Sequence, residues 1–257
     1  MLHQVLETSF YRSSLIAPQH AMFTCQGGVS QSPYTGLNLS YGVGDDPAAV
    51  RQNRELVKQQ LNVHYLASAV QVHSDCVAVV EGLEEDYEYK NVDALITQQS
   101  GVGLLIQQAD CQAILLYDPK QQAVAAVHNG WQGSVKNIIA QTIRAMEENF
   151  CTSPRDVRAV ISPSLGPCCA EFIHYNRELP VSFQQWQRAE NYFDFWKISR
   201  WQLQEAGLRS SSIEVTGICT LCNQNFFSYR RAMKQQKKQW GDKGVTGRNG
   251  SVIALAV

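Results

Sequence analysis

A chain of 257 residues is long enough to bury a substantial core without disulfide staples. Its 22 basic and 23 acidic side chains nearly cancel, which argues against a broad nucleic-acid-binding surface and turns attention to small-molecule partners. No run approaches the length of a membrane span, and residues 1–18 lack the basic-then-apolar plan of a secretion signal; eight cysteines in so core-rich a chain read as reduced thiols of a cytoplasmic protein rather than a disulfide framework.

In chain order, residues 68–128 are dominated by short apolar runs bounded by turn residues. Residues 77–80, 103–106, 114–117 and 123–127 read as strands, several apolar enough to be covered on both faces. The Asp118-Pro119-Lys120-Gln121-Gln122 stretch is a hairpin connection, so part of the sheet is antiparallel and the whole is mixed. After Gly133 the period changes. Val135, Ile138, Ile139, Thr142, Met146 and Phe150 fall on one helical face, with Ser134 placed to cap the helix start. His128 then stands where a strand ends and a helix is about to begin, the place where α/β proteins hold ligands. Residues 157–161 read as a strand, 184–188 as part of a helix, and 213–217 and 252–257 as strands. Residues 233–245, with Lys234, Lys237, Lys238 and Lys243 among glutamines, read as a solvated loop or as a basic flap over an anionic ligand. No short repeat or low-complexity tract interrupts the chain. The expectation is therefore one α/β domain over residues 1–257, with mixed parallel and antiparallel sheets and flanking helices.

Three metal-binding side chains lie in unusual surroundings: His73 in Gln71-Val72-His73, Cys111 in Ala109-Asp110-Cys111, and His128 in His128-Asn129-Gly130-Trp131-Gln132-Gly133. Two imidazoles and a thiolate suit a catalytic zinc, which takes three protein ligands and keeps a position open for water or substrate. These ligands are far apart in sequence, so only the folded domain can bring them together. Asp110 is a candidate to orient an imidazole or take a proton from water, or else to cap the following element. Trp131 and Phe227 offer an apolar wall for a base, with core packing as the competing role. Cys219-Thr220-Leu221-Cys222 has the spacing of half a zinc knuckle, but no second Cys-x-x-Cys exists, so it reads as structural, and Cys168-Cys169 as a packed turn. Gly101-Val102-Gly103 lacks the further glycine of a dinucleotide fingerprint.

Together with Gly27-Gly28-Val29-Ser30, Asn38-Leu39, Gly44-Asp45-Asp46, Asn53-Arg54, Asp93-Ala94-Leu95-Ile96-Thr97, Gly166-Pro167-Cys168-Cys169, Cys219-Thr220, Phe226-Phe227-Ser228-Tyr229-Arg230-Arg231 and Thr246-Gly247-Arg248, these motifs resemble the laccase-domain family. That family, formerly described as multicopper polyphenol oxidases, is now regarded as zinc-dependent purine nucleoside phosphorylases with adenosine deaminase activity. The resemblance implies Zn²⁺ on His73, Cys111 and His128. It also implies a single α/β domain, and purine nucleosides and phosphate as substrates. The chain departs from the family pattern at Asn129 and Gln132 of the tryptophan motif, at Cys25, and at Ser162, Ala113 and Ala170. At Cys25 and Gln132 the family carries arginine, whose two-pronged contact with phosphate neither replacement reproduces. The remaining candidate anion binders are Arg54, Arg230, Arg231 and Arg248, with Arg230 foremost because its motif is intact, and Asn38 is a candidate to bond ribose or base, or to shape a turn.

Three other readings use the same residues. Two His and one Cys also build an electron-transfer copper site, although 6 histidines in all leave little for the further copper cluster of a true multicopper oxidase. Cys111 with His128 forms the nucleophile and base of a Cys-His hydrolase. A nucleoside-binding module without turnover is the third.

Overall fold

Strand residues point alternately to opposite faces, so a run that is apolar at every position must be covered on both sides. The three central runs of this chain are of that kind, and the architecture follows from them. The computed structural model describes residues 8–240 and 244–256. In chain order the strands are β1 (Phe10–Tyr11), β2 (Gln19–Phe23), β3 (Tyr65–Val70), β4 (Val77–Val79), β5 (Tyr87–Lys90), β6 (Ala94–Thr97), β7 (Val102–Gln108), β8 (Gln112–Asp118), β9 (Ala123–Asn129), β10 (Arg158–Ile161), β11 (Gln187–Ala189), β12 (Tyr192–Phe193), β13 (Ile213–Val215) and β14 (Asn249–Ala254). The α-helices are α1 (Pro47–Leu61), α2 (Trp131–Lys136), α3 (Ile138–Phe150), α4 (Tyr175–Glu178), α5 (Phe195–Glu205) and α6 (Tyr229–Trp240).

Two six-stranded mixed sheets result, ordered β1-β2-β14-β7-β3-β5 and β13-β10-β8-β9-β6-β4, with β11 and β12 forming a small separate ribbon. In the first sheet β3 pairs parallel with β5 and β7 while β14 runs antiparallel to its neighbours; in the second only β10–β13 and β4–β6 are parallel. The alternation assigns each side chain to a layer. From β8, Leu115 and Tyr117 face the interior between the sheets, where they meet Leu104, Ile106, Val124 and Ile253. Ile114 and Leu116 face outward onto Ile139, Ile143 and Met146 of α3 and Leu203 of α5. On the far side Val57 and Leu61 of α1 cover Phe23, Leu105 and Val252. The result is an α/β/β/α stack with a continuous apolar centre. Among the described residues no helix is long and apolar enough to cross a membrane.

The hairpin expected at residues 118–122 joins β8 to β9, with Asp118 Oδ1 accepting from the N–H groups of Lys120 and Gln121. The expected strands sit where they were read, with ends shifted by at most three residues, and Val257 of the last one lies outside the described residues. Elsewhere the reading is corrected. The helix after Gly133 is two helices: Asn137 adopts a left-handed conformation (φ 58°), ends α2 and accepts from Ala140 N to start α3, so Ser134 lies inside α2 and caps nothing. Residues 184–188 divide between a 3-10 turn (Val181–Trp186) and β11. The stretch expected as a loop from Met233 continues α6 as far as Trp240, while residues 241–243 lie outside the described part.

Candidate metal centre

The register of one hairpin places two of the three ligands. Ala113 on β8 pairs with His128 on β9, and Gln112 with Asn129, so Cys111, one residue before β8, lies at the same sheet end as the imidazole of His128. His73 arrives from the other sheet, three residues beyond β3, in a left-handed conformation (φ 59°) that ordinary side chains seldom adopt. A single carboxylate holds it there. Asp93, fully buried just before β6, accepts from the N–H groups of Val72 (3.1 Å), His73 (3.0 Å) and Ser74 (2.7 Å) and from Ser74 Oγ (2.8 Å). The same carboxylate meets His128 Nδ1 at 2.8 Å, and the Asp93 carbonyl accepts from His128 N at 2.7 Å. Asp93 thus fixes the His73 backbone and the His128 ring, and leaves His128 Nε2 free to ligate. Lys136 Nζ donates to the carbonyl of His73 at 2.7 Å and closes the loop from outside.

The ligand atoms of His73, Cys111 and His128 all lie within 4.8 Å of one another, and Cys111 Sγ is 4.0 Å from His73 Nε2. A tetrahedral zinc with bonds near 2.0–2.3 Å requires a sulfur–nitrogen separation of about 3.6 Å. The donor set suits a divalent cation, and the Cys111–His73 pair is a few tenths of an ångström wider than the bound spacing. The electrostatics agree. Burial alone would raise the Cys111 thiol, but hydrogen bonds and charge from His128 and His73 outweigh it and bring the thiol down to about 6. Burial would lower His128, yet Asp93 and Cys111 raise it to about 9. Asp93 is likewise opposed by burial, and His128 with the Ser74 donors holds it well below the usual carboxylate range. Both shifts favour the thiolate, the form of cysteine that ligates a metal.

Two cavities meet at the triad, and His73 and Cys111 line both. The first, about 510 Å³, is walled by Trp131, Leu165, Phe172 and Phe195, with Asp110 and Arg230 among its polar groups. The second, about 730 Å³, is more polar, with Tyr41, Gln71, Glu88, Gln107 and Arg248 on its walls. Both volumes suit a nucleoside-sized ligand.

The other expected site residues are distributed unevenly. Arg230 reaches the first cavity, its Nη1 donating to the Glu171 carbonyl at 3.0 Å and its guanidinium 6.0 Å from the Phe172 ring centre. Asp110 lies there too, in a left-handed conformation (φ 81°), but it meets no imidazole among its hydrogen bonds: it accepts from Thr220 Oγ1 (2.7 Å) and from Arg230 N (2.6 Å), pinning the first turn of α6. The carboxylate that orients an imidazole is Asp93, so that expectation for Asp110 is corrected. Asn38 is fully buried and its amide serves Ser40, Asp45 and the Arg248 N–H, a turn role. Arg54 is buried as well, paired with Glu88 at 2.8 Å and stacked over Tyr41, so it supports the wall of the second cavity from behind. Arg231 spends its guanidinium on the carbonyls of Thr220, Leu221 and Phe226. Trp131 lines the first cavity, whereas Phe227 is buried against Gly247 and bonded to Asn249, in the core. Neither Cys25 nor Gln132 lines either cavity.

Asp93 was missed by sequence reasoning as a site residue. Its signals were its place in one of the motifs that carry the family resemblance, which assigns it no role, and an acidic residue directly preceding an apolar strand, which equally describes a turn.

A two-sheet α/β fold thus carries, at the edge of an aromatic cavity, a His-Cys-His cluster whose side chains could hold a metal ion. The sequence matches the family described as multi-copper polyphenol oxidoreductase laccase over residues 19–256, and the chain belongs to that family. It is 32% identical over 231 residues to a purine nucleoside phosphorylase of Bacteroides thetaiotaomicron, covering 82% of this chain and 86% of that one. It is also 32% identical over 250 residues to the purine nucleoside phosphorylase YlmD of Bacillus subtilis, covering 90% and 86%. Among solved structures, YlmD of Geobacillus stearothermophilus superposes with a TM-score of 0.82 at 25% identity, covering 98% of this chain and 100% of that one. The Bacillus licheniformis protein YfiH gives 0.80 at 29%, covering 94% and 98%.

Proposed function

We propose that this chain is a zinc-dependent purine nucleoside phosphorylase that also deaminates adenosine. The observation that carries the reading is the convergence of His73, Cys111 and His128 at the mouth of a cavity that offers both aromatic faces and a guanidinium. The names of the relatives support it. Those three side chains would hold Zn²⁺, and a bound zinc supplies Lewis acidity that polarises an oxygen ligand and lowers the pKa of water.

The protein's own groups supply the rest. Trp131 and Phe172 take the purine by its face and exclude water from the cavity. Arg230 holds phosphate, because it lines the cavity and its Nη1 is steadied by Glu171. In phosphorolysis of adenosine, inosine or methylthioadenosine a phosphate oxygen bonds to C1′, the bond from C1′ to the base breaks, and free base leaves with ribose or methylthioribose 1-phosphate. In deamination water replaces the C6 amine of adenosine and ammonia leaves. Asp110, one residue from Cys111 on the same cavity wall, takes the proton that water gives up and passes it to the departing amine, which leaves as ammonia.

The test is to incubate the pure protein with each nucleoside, with and without phosphate, and identify the products. Free base is expected only with phosphate, and inosine from adenosine without it. Tight purine binding with no product would overturn the enzymatic reading. Phenol oxidation lost on metal removal and restored by copper alone would replace zinc with copper, and covalent trapping of Cys111 in zinc-free active protein would favour the hydrolase.

Arg230→Gln separates the two reactions. Losing a charge-assisted contact of about 1.5–3 kcal/mol is expected to raise the KM for phosphate by about 10- to 100-fold. Deamination, which uses no phosphate, is expected to fall by a smaller factor. Equal losses in both would remove Arg230 from the phosphate site.

A further inference from the structure

The cysteines that the sequence presents as two unrelated features meet in space. Ser164 and Cys219 form a parallel bridge, with Thr220 N donating to the Ser164 carbonyl and Ser164 N to that of Ile218. This ties the turn carrying Cys219 and Cys222 to the turn carrying Cys168 and Cys169. The four sulfurs all lie within 4.8 Å of one another, with Cys169 to Cys222 at 3.5 Å and Cys168 to Cys222 at 3.8 Å. The expectation that the Cys-x-x-Cys lacks a partner is thereby corrected. The partner is a vicinal pair, which spacing rules for a second Cys-x-x-Cys pass over.

Packing does not account for this cluster. A free cysteine behaves as a small apolar group and is ordinarily among the most buried of residues. Here Cys168 and Cys222 are exposed and the other two half-buried, and all four are free thiols. Grouped at the surface, they gain little from burial and lie open to oxidation. The geometry matches another purpose. Four thiolates at the vertices of a tetrahedron around zinc, each at about 2.3 Å, stand about 3.8 Å apart. Gly166 N already donates to Cys219 Sγ at 3.3 Å, as backbone amides do to thiolates that carry charge.

We propose that Cys168, Cys169, Cys219 and Cys222 form a second metal site, a closed tetrathiolate zinc separate from the His73, Cys111 and His128 centre. With all four positions taken by protein, such a site is structural. Its place in the fold says what it fastens. The Cys219–Cys222 turn carries Thr220, which bonds Asp110, and its Thr220 and Leu221 carbonyls receive Arg231 at the start of α6. The loop after Cys169 leads directly into Ala170, Glu171 and Phe172, which line the first cavity, and Glu171 holds Arg230. One zinc therefore clamps the segment that holds Arg230 to the segment that holds Arg231 and Asp110. The cavity wall keeps its shape through the clamp.

The experiment uses the full chain, reconstituted with zinc under reducing conditions. About two zinc ions per chain are expected by metal analysis, falling to about one in Cys168→Ser/Cys222→Ser and also to about one in His73→Ala/His128→Ala. Replacing zinc with Co²⁺ gives a reading of the donor set: intense sulfur-to-cobalt charge transfer is expected to persist in the histidine variant and to be largely lost in the cysteine variant. A measurement on the unaltered chain guards against a variant that fails to fold. Five of the thiols, the four of the cluster and Cys111, are expected to react slowly with a thiol reagent until a chelator is added, where a single zinc on the His-Cys-His centre would protect one. About one zinc per chain that vanishes in the histidine variant overturns the proposal. So do a disulfide within the cluster in freshly reduced protein, iron in place of zinc, and thiols whose reactivity ignores the chelator.

Discussion

Asp93→Asn is expected to weaken zinc binding at His73, Cys111 and His128 by about 10- to 100-fold, the usual consequence of removing a carboxylate that orients a ligating imidazole. The geometry makes this substitution unusually costly although it preserves shape. Both Asp93 oxygens receive only donors: Oδ1 takes His128 Nδ1 and His73 N, and Oδ2 takes Val72 N, Ser74 N and Ser74 Oγ. An asparagine accepts at one end only and turns an N–H₂ group toward donors at the other, at a fully buried position. Breaking a buried charged pair costs about 3–5 kcal/mol, so denaturant unfolding is expected to show a loss of that size near neutral pH. The sign of the pH dependence follows from the depressed carboxyl. Its stabilisation is present above the unfolded-state value of about 3.9 and is lost as pH falls through the lowered folded value. The gap between wild type and variant should therefore narrow in acid. A gap that stays constant from neutral pH to strongly acid conditions, with zinc retained, would show that Asp93 supports neither histidine.

What the sequence disclosed and what it withheld divide along physical lines. The triad could be read because His73, Cys111 and His128 each interrupt a pattern that otherwise explains its neighbours. The central strands could be read because burial on both faces leaves an unbroken apolar run. Their ends were read short because Gln107, Gln108, Gln112 and Asn129 are polar but buried: the hydrophobic signal stops where the sheet edge becomes the site. The helix α1 escaped for a related reason. Its inward stripe is Val50, Asn53, Arg54, Val57 and Leu61, spaced as a helix requires, but two of the five are polar groups that hold the loops before it and pair with Glu88. The break at Asn137 was hidden because the apolar period runs through it from Val135 to Phe150. Asp110 drew attention by standing beside a ligand in the chain, whereas Asp93, distant in sequence, stands beside two in space. Side-chain partnership across a sheet end leaves no trace in local spacing.

Gly130→Ala is expected to empty the His-Cys-His centre while leaving the fold nearly intact, and it isolates geometry from chemistry because no ligand is altered. Gly130 precedes α2 with φ −76° and ψ 179°, a conformation any residue adopts, so alanine brings no backbone strain. At the helix N-cap the exchange costs about 1 kcal/mol or less. The side chain is the obstacle. A Cβ there would stand 2.9 Å from His73 Cδ2, 3.0 Å from Cys111 Sγ and 3.4 Å from His73 Nε2, in the gap between two ligands. Either the imidazole swings away, against the grip of Asp93 on the His73 backbone, or the sulfur moves from the end of β8. A displacement of about 1 Å in a catalytic constellation costs on the order of 100-fold in turnover. Metal analysis, thermal unfolding and product assay on one preparation should thus show lost zinc and a fall in kcat/KM of about that size, with a nearly unchanged Tm. Gly133→Ala is the control, since the atoms nearest its Cβ would be those of Asn129, Ile138 and the His128 carbonyl at 3.2–3.5 Å, none of them a ligand atom. Full zinc and full turnover in Gly130→Ala would mean that the two ligands do not close on a common ion across that gap.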